Sequence, residues 1–332
     1  MNTPLAAAAF FVGAVVSLGT SWVLVTRIER IGSRLGASEA MLGLLAALAA
    51  DTPEITSAVS ALVHRQQAVG AGIVVGSNVF NLAALLGLGA VVAGGIAFHR
   101  RVVLLTGAIA LWIAAICLLT IVGVVPAWAG LVLVVAVLVP YVLLAAWGDR
   151  VRDLPLGPRR RRWLAAAIIE EELELHDAVE AQRGRPVDFL VASLSLVVVV
   201  TASVAMERAA SALGVRLGTP AILVGGVVLA AVTSLPNAVA AVYLARRGRG
   251  AAMLSTALNS NALNVAAGLL LPGAVLGLDH ASANQILIGG GYCGLTLLVL
   301  VFAYRDKGLR RYAGYVILGV YAAFVAVLVA TA

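Results

Sequence analysis

Seven stretches of this sequence contain no Asp, Glu, Lys, Arg or His, and each is at least 21 residues long. A helix needs about 20 such residues to cross the hydrocarbon core of a bilayer. Hydrophobic residues make up 62% of the chain and charged residues 12%, whereas soluble domains have roughly 45–50% and about 25%. The sequence therefore predicts an all-α polytopic membrane protein and excludes a soluble enzyme. The uncharged stretches are 1–26, 66–98, 102–148, 217–245, 250–278, 281–304 and 312–332.

Ten transmembrane helices fit these stretches and the segments between them. The run 102–148 is too long for one span, and Gly123 and Pro126 mark a turn inside it. Two further helices are predicted where charged residues interrupt the apolar pattern. The predicted spans are 5–26, 38–63, 68–95, 102–122, 125–146, 188–207, 218–245, 250–276, 282–303 and 311–331.

The basic residues predict the orientation of these helices. Of the 23 Lys and Arg residues, 20 lie in the loops after helices 1, 3, 5, 7 and 9, and Arg65, Arg208 and Arg216 lie on the opposite side. Loops rich in Lys and Arg stay in the cytoplasm. We therefore expect a multi-pass protein of the cell membrane with both termini outside and the loop 148–187 inside. The basic excess is an orientation signal, and no nucleic-acid partner is expected.

The loop 148–187 divides the predicted chain into a first five-helix unit, 1–147, and a second, 188–332. It contains four arginines at 159–162, then Trp163, then an acidic run over 170–177. This pattern is typical of a helix lying at the membrane interface, with arginines near lipid phosphates. A regulatory cation site in the acidic run is the alternative, although the spacing of a calcium-binding loop is absent.

The two units contain an internal repeat at a shift of 183 residues. Pro53 aligns with Pro236, and the motif S-N-x-x-N at 77–81 aligns with the same motif at 260–264. Chance similarity between aliphatic helices would not align these residues at the same spacing. Because a unit of five spans has an odd number, the second copy enters the membrane from the opposite side. The repeat therefore predicts inverted halves, as in many secondary transporters.

Only two of the sixteen acidic residues, Asp51 and Glu54, fall deep within a predicted span. The run Asp51-Thr52-Pro53-Glu54 has the pattern of a helix start with a capping residue, so a loop between two short helices is one interpretation. The other is that helices 2 and 7 are broken at mid-membrane, with a new half-helix beginning at each proline. Proline then frees a carbonyl four residues earlier, near Ala49 and Val232, as a ligand for a cation.

The polar residues of the repeat offer oxygen atoms on shared helix faces. Ser77 and Asn81 lie four residues apart, as do Ser260 and Asn264. Hydrogen bonding between helices is the simpler explanation for each residue alone. Together with two carboxylates, and with neither thiolate nor buried His nearby, these hydroxyl and amide oxygens are the ligands that Na⁺ and Ca²⁺ prefer.

These motifs resemble the calcium/cation antiporter superfamily, and specifically the membrane region of sodium/calcium exchangers. Its α-repeat reads roughly G-T/S-S-x-P-E followed by G-S-N-x-x-N/D, and the similarity covers about 43–88 and 226–271. The family's ions lie where the four motif helices meet. The resemblance therefore implies cation ligands in both halves, including backbone carbonyls near Ala47 and Ala230. They are Glu54, Asp51, Ser77, Asn81, Thr233, Ser234, Asn237, Ser260, Asn264, Ala47 and Ala230.

The sequence departs from the family pattern at the acidic positions. Asn237 stands where the family usually has Glu, Asn264 where many members have Asp, and Asp51 where a Ser is expected. The symmetric pair of glutamates is lost, and a second carboxylate appears beside Glu54. Two carboxylates this close do not both ionise easily and titrate as a unit, so a proton can compete with the cation.

The leading hypothesis is a secondary cation antiporter that works by alternating access, with Na⁺ and Ca²⁺ as the ions that the resemblance implies. A Na⁺/H⁺ or Ca²⁺/H⁺ exchanger that uses Asp51 and Glu54 as proton carriers is an alternative, and a cation sensor that does not transport is another. We expect no enzymatic activity and no cofactor. The expected partners are the lipid bilayer and inorganic cations.

Overall fold

A computed structural model describes residues 3–35, 45, 47–146, 157, 159, 162–167, 184–246, 250–278 and 282–332. The described residues are mostly helical, with one pair of three-residue strands. The helices are α1 (Thr3–Arg34), α2 (Thr52–Val63), α3 (Gln67–Ala93), α4 (Arg100–Ile121), α5 (Ala127–Ala146), α6 (Pro186–Leu217), α7 (Ala221–Thr233), α8 (Leu235–Arg246), α9 (Gly250–Leu263, continued by Asn264–Leu270 and Leu271–Leu276), α10 (Ala283–Arg305) and α11 (Arg311–Thr331).

Seven of these helices are long and apolar enough to cross a membrane, namely α1, α3, α4, α5, α6, α10 and α11. This confirms the polytopic, all-helical class. The count of ten spans stays a prediction, because 36–44 and 46, in the predicted second span, lie outside the described residues. Of the predicted interfacial helix, 162–167 is helical, and the acidic run at 170–177 lies outside the described part.

Helices α1 and α6 pack along each other at the edge of the molecule. Each has 32 residues, which corresponds to about 48 Å at 1.5 Å per residue, longer than the hydrocarbon core of about 30 Å. The buried face of α1 is formed by small residues, so the two backbones come close. The Ser17 and Ser203 hydroxyls hydrogen bond across this contact at 2.7 Å.

The centre of the molecule is the crossing of α3 with α7. In the most apolar 18-residue segment of α3, 94% of the residues are buried, compared with 22% in the equivalent segment of α11. Helix α3 therefore lies inside the molecule and α11 lies at its outer surface. Glycines allow the close approach. A Cβ atom added at Gly76 would lie 2.3 Å from the carbonyl oxygen of Gly226, and one at Gly72 would lie 2.9 Å from its nitrogen.

Both prolines of the repeat stand at the start of a helix. Helix α2 begins at Thr52 directly after a turn at Asp51, and residues 47–50 before the turn are helical. In the second copy, α7 ends at Thr233 and α8 begins at Leu235. Each S-N-x-x-N motif is followed by a π-helical segment, Leu82–Leu88 in α3 and Asn264–Leu270 in α9.

The short strands β1 (Gly95–Ala97) and β2 (Gly308–Arg310) pair antiparallel and join the end of α3 to the end of α10. Helix α6 differs from its sequence-based prediction, since it runs to Leu217 rather than ending near residue 207. Arg208 and Arg216 are therefore on a helix and not in a loop. The reason is that Glu207 and its neighbours pack against α2, which keeps this end of α6 helical.

Candidate cation site

Asp51 occupies the position of a helix cap, but its side chain makes no capping hydrogen bond. Its Oδ1 instead accepts hydrogen bonds from the Asn237 amide and the Ser260 hydroxyl, both at 2.8 Å. The side chain is fully buried. The Asp51 carboxylate thus contacts the second half of the chain rather than capping its own helix, and a helix broken at mid-membrane stays a prediction.

Glu54, one turn further along α2, also contacts the second half of the chain. Its Oε1 accepts a hydrogen bond from the Ser234 hydroxyl, and its Oε2 accepts one from the Asn264 amide. Its side chain is 1% exposed. Both carboxylates lie in the first turn of α2 or just before it, where the positive end of the helix dipole favours negative charge.

The two S-N-x-x-N motifs contact each other reciprocally. Asn78 donates to the carbonyl of Asn261, and Asn261 donates to the carbonyl of Asn78, both at 3.1 Å. The Asn81 amide donates to Asn261 Oδ1 at 3.1 Å, and the Asn264 amide donates to Asn78 Oδ1 at 3.3 Å. Each contact has a counterpart in which the two halves of the chain exchange roles.

Three buried oxygens of this network have no hydrogen-bond partner in the described part of the chain: Asp51 Oδ2, Asn81 Oδ1 and Asn264 Oδ1. An unsatisfied buried acceptor costs about 1–3 kcal/mol, and more when it is charged. A cation bound to these atoms would remove that cost. Carboxylate, amide and hydroxyl oxygens are hard ligands, so the set fits Na⁺ or Ca²⁺.

The network unites seven of the sequence-predicted ligands, each no more than 3% exposed: Asp51, Glu54, Asn81, Ser234, Asn237, Ser260 and Asn264. Ser77 lies beside it and donates to the Ala230 carbonyl at 3.5 Å. Thr233 donates to the Leu229 carbonyl at 2.9 Å, within its own helix. Whether all of these residues bind a cation stays a prediction.

The backbone carbonyls are bound within the protein in this structure. The Ala47 carbonyl accepts from the Asp51 amide at 2.8 Å, and the Ala230 carbonyl from the Ser234 amide at 3.2 Å. Ala49, whose carbonyl Pro53 was expected to free, accepts from the Ser21 hydroxyl of α1 at 3.2 Å. The Ser21 side chain therefore occupies the Ala49 carbonyl that the sequence predicts as a ligand for a cation.

Three functional candidates were not selected from the sequence. Asn78 and Asn261 stand inside the repeated motif, which was the available signal, and they orient Asn264 and Asn81. Glu207 is a further fully buried carboxylate. The sequence predicts a span that ends at this residue, because no local pattern shows that α6 continues past it.

The sequence matches the family model described as "Sodium/calcium exchanger protein" over residues 5–147 and 187–330. These ranges contain most of the chain and leave out the loop between the two predicted units. The match therefore includes α2, α3, α8 and α9, which carry the network.

Two curated relatives are similar over part of the chain. The putative antiporter CaxA of Alkalimonas amylolytica is 31% identical over 85 residues, which are 25% of this chain and 27% of that protein. The sodium/calcium exchanger MaX1 of Methanosarcina acetivorans is 31% identical over 112 residues, which are 34% of this chain and 32% of that protein. The chain thus matches less than a third of the length of either relative.

Two solved structures have the same fold. The sodium–calcium exchanger NCX_Mj has a TM-score of 0.61 at 18% identity, with 98% of this chain and 99% of that chain covered. The H⁺/Ca²⁺ exchanger CAX has a TM-score of 0.70 at 13% identity, with 98% and 86% covered. Together with the family model, the helices and the buried polar network, this shows that the chain belongs to the sodium/calcium exchanger family, a family of multi-pass membrane transporters within the calcium/cation antiporter superfamily.

Proposed function

We propose that this protein is a secondary cation antiporter of the sodium/calcium exchanger type, which binds its cation at the network around Asp51 and Glu54. Glu54 is the principal ligand, and Asp51 is the auxiliary ligand. Asn237 is a neutral ligand at a position where the family usually has a carboxylate. The remaining ligands come from Ser77, Asn81, Thr233, Ser234, Ser260 and Asn264 and from the backbone near Ala47 and Ala230.

The observation that carries this proposal is the set of bare oxygens on Asp51, Asn81 and Asn264. They come from both halves of the chain and lie in one hydrogen-bond network with two buried carboxylates. A structural network would be expected to satisfy its buried acceptors. Ligands that await a cation explain why these three oxygens are left without donors.

The exchange of roles between the halves supports alternating access. The repeat aligns Asp51 with Ser234 and Glu54 with Asn237. Asp51 accepts a hydrogen bond from Asn237, and the equivalent pair is Ser234, which donates to Glu54. Such reciprocal contacts are expected of ten helices arranged as two inverted repeats, with helices 2 and 7 broken at mid-membrane. Two equivalent halves around one site can open it to either side in turn.

A proton-coupled exchange is the second candidate, and the position of the carboxylates favours it. Asp51 and Glu54 lie one helical turn apart and are both buried, so their negative charges repel each other in a medium of low dielectric constant. A proton on one of them would relieve that repulsion when the metal ion leaves. The cycle would then exchange Na⁺ or Ca²⁺ for H⁺.

Flux measurements in proteoliposomes test these proposals. We expect Ca²⁺ uptake driven by an outward Na⁺ gradient, and we expect Glu54→Gln to reduce it at least tenfold because the site loses a charged ligand. Glu29→Gln, which makes the same change of charge on α1 outside the network, should keep the wild-type flux.

The outcome also separates the alternatives. Flux of Na⁺ or Ca²⁺ that is driven by an imposed pH gradient, without a Na⁺ gradient, assigns the protein to the proton-coupled type. Cation binding, seen as thermal stabilisation without any flux, assigns it to a sensor. The antiporter proposal is abandoned if neither gradient drives flux, or if Glu54→Gln transports as well as the wild type.

A further inference from the structure

Glu207 is a buried carboxylate for which the proposed cation site has no role. It lies on α6 and is fully buried. The Ser60 hydroxyl of α2 donates to its Oε2 at 2.9 Å, and the Ser211 hydroxyl donates to its Oε1 at 3.0 Å. Both of its carboxylate oxygens are therefore held by hydroxyl groups that can rotate.

Among the described residues no basic side chain forms an ion pair with Glu207, although Arg208 is next to it in the chain and lines the same cavity as Arg65. Among the described residues the one salt bridge joins Arg27 and Asp188. The Arg208 guanidinium, on the residue next to Glu207, bonds to the His64 ring at 2.7 Å, and Arg65 donates to the carbonyl of Leu276 at 3.3 Å. A buried carboxylate without a counter-ion is costly inside a membrane protein and indicates a function.

A cavity of about 800 Å³ lies one hydrogen bond away from Glu207, because Ser211 is in its lining. Its lining includes Ser211, which is partly exposed and donates directly to the carboxylate. The volume exceeds that of one water molecule, about 30 Å³, many times. A hydrated cation that enters this cavity can therefore reach the Ser211 hydroxyl and, through it, Glu207.

We propose that Glu207, Ser60 and Ser211 form a second site, which binds a monovalent hard cation of the Na⁺ class behind the part of the cavity wall that Ser211 forms. A serine hydroxyl can turn its hydrogen away and offer lone pairs, so the three side chains supply a carboxylate and two hydroxyl oxygens, and water from the cavity completes the shell. One carboxylate balances one positive charge. Arg65 and Arg208 line the same cavity and disfavour a divalent ion more strongly than a monovalent one.

This site is separate from the Asp51–Glu54 network, and it goes beyond the proposed antiport. Ser60 and Glu54 are six residues apart on α2, which corresponds to about 9 Å along the helix axis. Glu207 itself is on α6, and through Ser60 a cation there contacts α2, the helix that begins at the central carboxylates. Its binding can be measured whether or not the protein transports.

The experiment uses the full chain, purified in detergent, with the central site disabled by Asp51→Asn and Glu54→Gln. Thermal unfolding is followed while NaCl replaces choline chloride at constant ionic strength. We expect a saturable rise in Tm with Na⁺, and we expect the added change Glu207→Gln to weaken the apparent Na⁺ affinity at least tenfold. CaCl₂ at matched ionic strength should stabilise the Asp51→Asn, Glu54→Gln protein less than NaCl does.

Serine variants keep the test informative if the Glu207→Gln protein does not fold. Ser60→Ala and Ser211→Ala each remove one hydroxyl ligand and should weaken the Na⁺ response. Ser193→Ala removes an exposed hydroxyl of the same helix, which bonds only to its own backbone at 2.9 Å, and should leave the response unchanged.

The proposal is overturned if the Asp51→Asn, Glu54→Gln protein does not respond to Na⁺, or if its response survives in both serine variants. A rise in Tm with Ca²⁺ but not with Na⁺ would also overturn it. A rise in Tm on lowering the pH that does not depend on Na⁺ would overturn it as well. The antiport assay above uses intact Glu207, so either proposal can fail without the other.

Discussion

Asp51 and Glu54 differ in how their oxygens are bound. Glu54 has a donor on each oxygen, one from Ser234 and one from Asn264. Asp51 has two donors on Oδ1, and no described residue donates to its Oδ2. The side chain with a bare oxygen is the one that gains most from a cation, whereas Glu54 must release or share a donor to bind one.

Changing Asn237 to Glu should strengthen the response to Ca²⁺. The Asn237 amide donates to Asp51 at 2.8 Å, and a glutamate there would replace this donor by a third carboxylate beside Asp51 and Glu54. Two unit charges about 4 Å apart repel by about 4 kcal/mol at an effective dielectric constant of about 20. We therefore expect a lower Tm without Ca²⁺ and a larger rise in Tm on adding Ca²⁺ than in the wild type.

Asn237→Gln is the matched control for this change, since it lengthens the side chain to the same extent and keeps the amide. It should show the wild-type response to Ca²⁺. Equal Ca²⁺ responses in the Gln and Glu variants would show that the missing carboxylate does not determine the preference between Na⁺ and Ca²⁺.

Much of the network could be predicted from the sequence, because its residues belong to short motifs that occur twice. A carboxylate beside a proline and an S-N-x-x-N motif are visible without any knowledge of packing. Glu207 could not be predicted in this way. Its burial depends on the contact of α6 with Ser60 of α2, two helices that are far apart in the sequence.

Among the elements, the crossing of α3 and α7 depends most strictly on residue size. Changing Gly76 to Ala would place a methyl group 2.3 Å from the Gly226 carbonyl oxygen, so one backbone must move. Overpacking of this kind costs about 1–3 kcal/mol. We expect a clear loss of thermal stability in detergent, together with weaker cation stabilisation, because α3 carries Ser77 and Asn81.

Gly290→Ala in α10 serves as the comparison for this change. Nothing lies within 4 Å of a Cβ atom added there, and alanine favours the helix by about 1 kcal/mol, so this variant should be as stable as the wild type or more so. If both alanine variants have the same Tm, the close crossing of α3 and α7 is not a determinant of stability.

The helix starts near the two prolines were predictable, but the hydrogen-bond partners of the backbone before them were not. Pro53 sets the start of α2, because proline fits the first turn of a helix and has no N–H to donate to the carbonyl of Ala49 in the preceding turn. The sequence does not show that Ser21 of α1 reaches the Ala49 carbonyl. That contact arises from the packing of α1 beside the break, which local patterns do not describe.

At the scale of the whole molecule, the hydrogen bonds of the network pair each half of the chain with the other. The Asn78–Asn261 bonds are equal in length in both directions, as expected if a two-fold axis passes between these residues. If the halves are inverted, that axis lies in the membrane plane, and each structural feature on one side has a counterpart on the other. The orientation of the chain then depends on the basic loops alone.

Cysteine labelling can test that orientation. Ala97 and Val124 are exposed and stand at opposite ends of α4, whose 22 residues extend about 33 Å at 1.5 Å per residue. The Ala97 end lies beside Arg100, and β2 with its Arg310 pairs there, so the positive-inside rule assigns it to the cytoplasm.

With Cys117 and Cys293 changed to Ala, an impermeant maleimide added to intact cells should label Val124→Cys, and it should label Ala97→Cys only after permeabilisation. Each added cysteine is the control for the other, because both replace a small exposed residue in a connection. The reverse labelling pattern would show that the protein has the opposite orientation in the membrane, with the basic loops outside. Labelling of both from one side would show that α4 does not cross the membrane, and a structure in which the halves of the chain meet around a buried cation site would then lose its basis.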